Sequence, residues 1–171
     1  MGNQKKKARA LKYFIGGVLF LTLAAVGINH FWLGKSDNAI LSARFETTSG
    51  SSNEFSSVFK LEIVNTPQAR ARGLMFRREM ASNRGMIFIF PESDNLSFYM
   101  KNTYISLDII FVNEEMKVVG FLENLPILNQ ESRSIGSKSR YAIELLAGTV
   151  KKLGLKPGDK VIFGSTLPSS T

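Results

Sequence analysis

Tyr13 to Leu33 is a run of 21 residues without a formal charge, and Lys5, Lys6, Lys7, Arg9 and Lys12 stand directly before it. At about 1.5 Å per residue, a helix of that length crosses the ~30 Å hydrocarbon core of a bilayer. A positive flank stays on the cytoplasmic side, so the remainder is expected outside. A cleaved signal peptide is the alternative, with an apolar core of roughly 7–15 residues and a small-x-small site. This run is longer, and its exit from Gly27 to Gly34 offers no convincing site. His30 and Trp32 suit the outer membrane–water interface. The expectation is a single-pass anchor in the cell (inner) membrane, with a cytoplasmic N-terminus and an extracytoplasmic or periplasmic C-terminal domain.

The chain carries 22 basic and 14 acidic residues, and five basic but no acidic ones precede Tyr13. The remainder is therefore close to balance. No basic stripe with interleaved aromatics appears, so nucleic acid is not an expected partner. There is no cysteine, which excludes disulfides, thiol nucleophiles and Cys-bound zinc or iron–sulfur sites. The one histidine, His30, lies in the apolar run, so the outer domain has no imidazole for a catalytic triad or a metal. No cofactor and no metal site is expected. Met75, Met80, Met86, Met100 and Met116 read as core filler rather than a copper site, because no Met-x-Met repeat occurs.

The organisation reads as residues 1–12 basic, 13–33 anchor, 34–57 flexible tether, 58–164 folded domain and 165–171 loose tail. Thr47 to Asn53 is small and polar, as coil prefers. Ala39–Phe45 is at most a short strand within the tether. In the domain, Phe59, Leu61 and Ile63 alternate with Lys60 and Glu62, the pattern of a half-buried strand. Met86–Phe90, Ser97–Met100, Leu107–Val112, Val118–Leu122, Tyr141–Leu146 and Lys160–Phe163 are further strand candidates. Asn113-Glu114-Glu115-Met116 and Pro157-Gly158-Asp159 read as turns. Thr66 and Pro67 cap and start a short helix that Gly73 closes, and Ala147–Leu153 is a second, stopped by Gly154. The fold class is mainly β: a small β-barrel or sandwich with two short helices, preceded by one transmembrane helix.

Several blocks then stand out together. They are Asn65-Thr66-Pro67, Arg70, Arg72-Gly73-Leu74-Met75, Arg77 or Arg78, and Gly85-Met86-Ile87-Phe88-Ile89-Phe90. Phe98-Tyr99-Met100-Lys101-Asn102-Thr103, Leu107-Asp108-Ile109-Ile110-Phe111, Tyr141, Glu144-Leu145, Ala147-Gly148 and Gly158-Asp159 follow. In this order and spacing, from about Val58 to Phe163, the chain resembles the bacterial and archaeal family called domain of unknown function 192. The resemblance implies a small, mainly β domain, often secreted or anchored by an N-terminal apolar segment. It implies no activity. Tyr99 stands where the family usually has tryptophan, and Asn124–Ser139 is idiosyncratic.

Three sets of residues carry candidate chemistry. Arg72, Lys101, Asn102, Thr103 and Asp108 are the expected ligand-binding patch, offering a forked cation, a mobile cation, neutral donors and an acid. Arg72 is expected to pair with Asp108, because an unpaired acid in an apolar strand is costly to bury. Asp108 and Glu144 interrupt apolar strands and could serve as an acid/base pair at a separation of ~5–10 Å; the alternative is that each faces solvent or meets an Arg or Lys. Ser57-x-x-Lys60 and Ser93-Asp94-Asn95 match penicillin-binding spacing, but strand positions three apart face opposite sides and no Lys-Thr-Gly follows. The leading expectation is a binding or accessory module for a small polar or anionic ligand, or for an envelope protein. The alternatives are a glycosidase-like hydrolase using Asp108 and Glu144, and a structural envelope protein.

Overall fold

The computed structural model describes residues 39–47 and 58–170. The predicted anchor, 13–33, lies outside the described residues, as do 34–38 and 48–57 of the predicted tether. Among the described residues, no helix is long and apolar enough to cross a membrane.

Among the described residues, seven strands form one sheet: β1 (Ile40–Glu46), β2 (Phe59–Val64), β3 (Arg84–Asp94), β4 (Leu107–Val112), β5 (Val118–Leu125), β6 (Ser139–Leu146) and β7 (Lys160–Phe163). Two short helices interrupt them, α1 (Pro67–Arg72) and α2 (Thr149–Leu153). The sheet order is β5-β4-β6-β3-β2-β1-β7, with β2 and β3 parallel and the other pairs antiparallel. The sheet curls until its outer strands approach: Lys117 bridges Lys160, and Val118 N–H donates to Asp159 O at 2.8 Å. The result is a curled half-barrel rather than a two-sheet sandwich.

Both faces of the sheet are covered, because two apolar clusters use alternate residues of the same strands. One contains Leu61, Ile87, Ile89, Ile110, Ile143 and Leu145; the other contains Val64, Met86, Phe88, Ile109, Phe111 and Ala142. All six residues of β4 are buried. The second cluster packs under α1 and the segment from Leu96 to Ile105, and it is this face that carries the cleft described below.

Local chemistry accounts for the connections. Thr66 Oγ1 accepts from Ala69 N–H at 3.2 Å, Pro67 occupies the first turn, and Gly73 ends α1 with φ 48°. In the β4–β5 turn, Asn113 Oδ1 accepts from the N–H groups of Glu115 and Lys117. Gly85 sits where strands crowd: a Cβ there would collide with the Glu144 carbonyl oxygen.

Three boundaries differ from expectation. The segment read as tether contains β1, which pairs with both β2 and β7 and buries Leu41, Ala43 and Phe45. Alternating apolar residues outweigh the polar sequence beside it. Ser97–Met100 is not a sheet strand. It makes one bridge, Phe98 to Arg133, and Met100 N–H donates to Asn129 O, so its partners are loop residues. Residues 165–170 run back over the domain: Leu167 packs on the first cluster, and Ser169 O accepts from Asn65 Nδ2 at 2.8 Å.

Candidate functional site

Directly paired residues on neighbouring strands present their side chains on one face. The register therefore places Ile40, Glu62, Met86, Glu144, Ile109 and Leu122 in one row across β1, β2, β3, β6, β4 and β5. Two acids share this row with Met86 between them. Glu62 accepts a two-pronged ion pair from Arg77, which leaves the segment after α1. Glu144 receives no hydrogen bond on Oε2, although the residue is only 6 % exposed. Burial pushes its carboxyl up to about 8, against the opposing pull of the Arg77 charge. Near pH 7 Glu144 is therefore mostly a neutral acid, able to donate a hydrogen bond.

Glu144 lines a cleft of about 190 Å³. One wall is the exit of α1, from Arg70 to Met75; the other is Phe88, Phe90 and the Ser97–Tyr99 segment, with Thr103 alongside. Phe98 holds the aromatic wall together by edge-to-face contacts with Phe88, Phe90 and Phe111 at 5.3, 6.4 and 5.7 Å. Gly73 lets the chain turn past this wall, since a Cβ would lie 3.1 Å from Phe88 Cζ.

The arginines of the cleft divide in role. Arg70 Nη1 donates to Asn65 O, Ile89 O and Ser170 Oγ at 2.8–2.9 Å, and its guanidinium lies 5.1 Å from the Phe90 ring centroid. It clamps α1, β3 and the C-terminal segment. Arg72 is exposed at the cleft and makes no ion pair among the described residues. That leaves a forked cation available to an anion.

The five residues expected to form one patch are split. Arg72 and Thr103 both line the cleft. Lys101 is exposed on the adjoining turn; Asn102 has φ 55°, and its carbonyl accepts from Phe76 N–H at 2.7 Å. Thr103 is buried, and its hydroxyl donates to Lys101 O at 3.2 Å. Asp108 points to the other face of the sheet. It pairs in register with Leu145, the neighbour of Glu144, and its carboxylate accepts from Asn124 N–H at 2.8 Å and Val150 N–H at 2.9 Å. Arg72 is therefore not its partner. The second bond caps α2, whose own N-cap, Gly148, has no side chain to do so. Asp108 and Glu144 lie back to back across the sheet, which removes the geometry of an acid/base pair. Neither faces solvent, because both faces are covered. The role of Glu144 as cleft floor was missed; its one sequence signal is an acid between Ile143 and Leu145.

A wider hollow, about 340 Å³, lies beside β1 and β7, but among the described residues Arg44 is the sole ionisable side chain lining it. It offers less chemistry than the Glu144 cleft. Among the described residues, no cluster of three or more acidic or histidine side chains is placed to hold a metal ion.

Known proteins locate the fold. A protein from Sinorhizobium meliloti 1021, described as a "putative transcription regulator", has a crystal structure similar to this chain. The identity is 34 % and the TM-score 0.69, over 76 % of this chain and 98 % of that one. A protein of unknown function from Novosphingobium aromaticivorans DSM 12444 is similar at 34 % identity and a TM-score of 0.69, over 75 % of this chain and 89 % of that one. No curated protein matches. Residues 47–163 match the DUF192 family, described as "Uncharacterized ACR", and the chain belongs to that family.

Proposed function

We propose that this protein is an anchored extracytoplasmic binding module whose cleft takes a small anionic or polyhydroxy ligand. The observation that carries the reading is the buried, unbonded Oε2 of Glu144 on the floor of a cleft that Arg72 rims. A buried polar atom without a partner is uncommon and destabilising unless something supplies its bond. A ligand oxygen accepting from the neutral acid would do so, while Arg72 meets a carboxylate and the aromatic wall stacks on the ligand body. Lys101 and Asn102 stand near enough in the fold to add polar contacts at the rim. The uncharged run of 13–33, with its basic flank, would hold the domain outside the inner membrane.

The hydrolase alternative finds no support in two acids held back to back. Sequence-reading of duplex DNA also finds little: among the described residues the longer helix, α1, has six residues, short for a groove-reading element.

The test is NMR titration of the domain from residue 38 with sugar acids and simple hydroxycarboxylates. Asn38–Thr171 forms one compact unit. Shifts should centre on Arg72, Tyr99 and Glu144, and Arg72→Ala should weaken them about tenfold or more, the loss of one charge-assisted contact. Binding that is indifferent to Arg72→Ala, or that maps to the α2 side of the sheet, would overturn the reading.

A further inference from the structure

Phe76, Tyr99, Ile127 and Leu128 are each about half exposed, at 47–58 %. They come from segments that the backbone ties together. Phe76 N–H donates to Asn102 O, Met100 N–H to Asn129 O and Leu128 N–H to Thr103 O, at 2.7, 2.7 and 3.1 Å. Phe76 and Leu128 both have left-handed backbone, with φ 67° and 57°. That conformation is unfavourable for a bulky L residue. Core packing does not compensate for it here, because these side chains face water.

Within the segments that carry the patch, positive charge predominates. Arg72, Arg78 and Lys101 belong to the same segments, and Glu79 is the one acid in 72–79, 99–104 and 126–129. Exposed rings and aliphatic side chains bordered by cations suit an anionic membrane surface. The start of the domain is close by. Arg77, next to Phe76, grips Glu62, and Glu62 pairs with Ile40, the first residue of β1. Residues 34–39 separate Ile40 from Leu33, a span of at most about 25 Å even when fully extended.

We propose that the patch of Phe76, Tyr99, Ile127 and Leu128 docks the domain onto the outer surface of the bilayer that anchors it. Anionic headgroups meet Arg78 and Lys101, and Arg72 stays with the cleft. This rests on the anchored topology proposed above. A short tether raises the effective concentration of the surface, so a patch too weak to hold a free domain suffices. Docking would set the cleft mouth, where Tyr99 is shared, at the level of the headgroups.

The absence of cysteine permits single-site labelling of the full chain. An environment-sensitive dye is placed at Ile127→Cys, with Lys151→Cys on α2 as reference, in chains reconstituted into phosphatidylcholine–phosphatidylglycerol vesicles. Iodide should quench the label at 127 about threefold less than the reference, as for a shallowly inserted side chain. Phe76→Asn with Leu128→Asn should abolish the difference without harming the fold, because Asn tolerates left-handed backbone. Lys101→Glu should reduce it, as should vesicles of phosphatidylcholine alone. Equal quenching at both sites in chains that resist a high-salt wash would overturn docking and leave the anchor standing. Release of the chain by that wash would overturn the anchor and docking with it. Shielding that follows protein density rather than phosphatidylglycerol content would assign the patch to a second copy and overturn the membrane as occupant.

Discussion

Glu144→Gln should stabilise the protein near neutral pH and leave it almost unchanged in mild acid. In the native state the Glu144 carboxyl is raised from 4.5 to about 8, and burial is the first cause. The sign follows from proton binding. Below about pH 4.5 both folded and unfolded chains carry the proton, so the stability of the neutral form is fully present. As pH rises toward 8, the unfolded chain releases the proton while the folded chain keeps it, and stability falls. Each pH unit in that window removes about 1.4 kcal/mol, so about 3 kcal/mol is gone by pH 7. Glutamine has the same shape, keeps a donor and cannot ionise, so the variant should lack this slope. Urea denaturation of both proteins at pH 4.5, 6, 7 and 8 gives the difference directly, and background titrations cancel in it. A wild type–variant difference that stays constant from pH 4.5 to 8 would refute the reasoning, since it would mean that Glu144 titrates alike in both states.

Other substitutions test the frame around the cleft. Asp108→Asn replaces an acceptor of two backbone N–H groups by one that can satisfy a single one, and should lower stability by about 2–4 kcal/mol in chemical denaturation, with ligand shifts around Arg72 retained. Gly85→Ala forces a methyl group against the Glu144 carbonyl and Leu145, and should lose about 3 kcal/mol or fail to fold, as read by circular dichroism and urea titration. A chain beginning at Val58 lacks β1, the strand between β2 and β7, and should unfold without cooperativity, whereas one beginning at Asn38 should show a single transition. Arg70→Leu removes a donor from Asn65 O, Ile89 O and Ser170 Oγ, of which Asn65 O keeps the Ser170 hydroxyl, and should expose residues 165–170 to protease at several times the wild-type rate.

What could be read from the sequence was local. The alternation in Phe59–Val64, the caps around α1 and the Asn113 turn each depend on residues within a few positions of one another, and each forms where its signal stands. What failed was non-local. β1 is a strand because β2 and β7 flank it, and its neighbouring polar residues say nothing of that. The placement of Asp108 and Glu144 depends on β6 lying between β3 and β4, an order no pattern along the chain encodes. Strand alternation also misled, for a sheet covered on both faces has no solvent side to which an acid can be assigned.

The two acids then make a controlled comparison within one fold. Both are buried in adjacent central strands at neighbouring register positions. Asp108 has two backbone donors, caps a helix and needs nothing further. Glu144 has an oxygen with no partner, although a glutamine or a leucine would meet the demands of folding there with less loss near neutral pH. Natural chains depart from local consistency chiefly where function requires it. Four of the departures share a neighbourhood: the unbonded acid, Arg72 without an ion pair, and the left-handed Phe76 and Leu128 lie in or beside one cleft, while the unbonded Ser139 Oγ and the left-handed Met116 and Asn124 do not line it. Stability alone explains Asp108, the Arg70 clamp and the Arg77–Glu62 pair. It does not explain that second group, which the proposed ligand and docking surface would meet together.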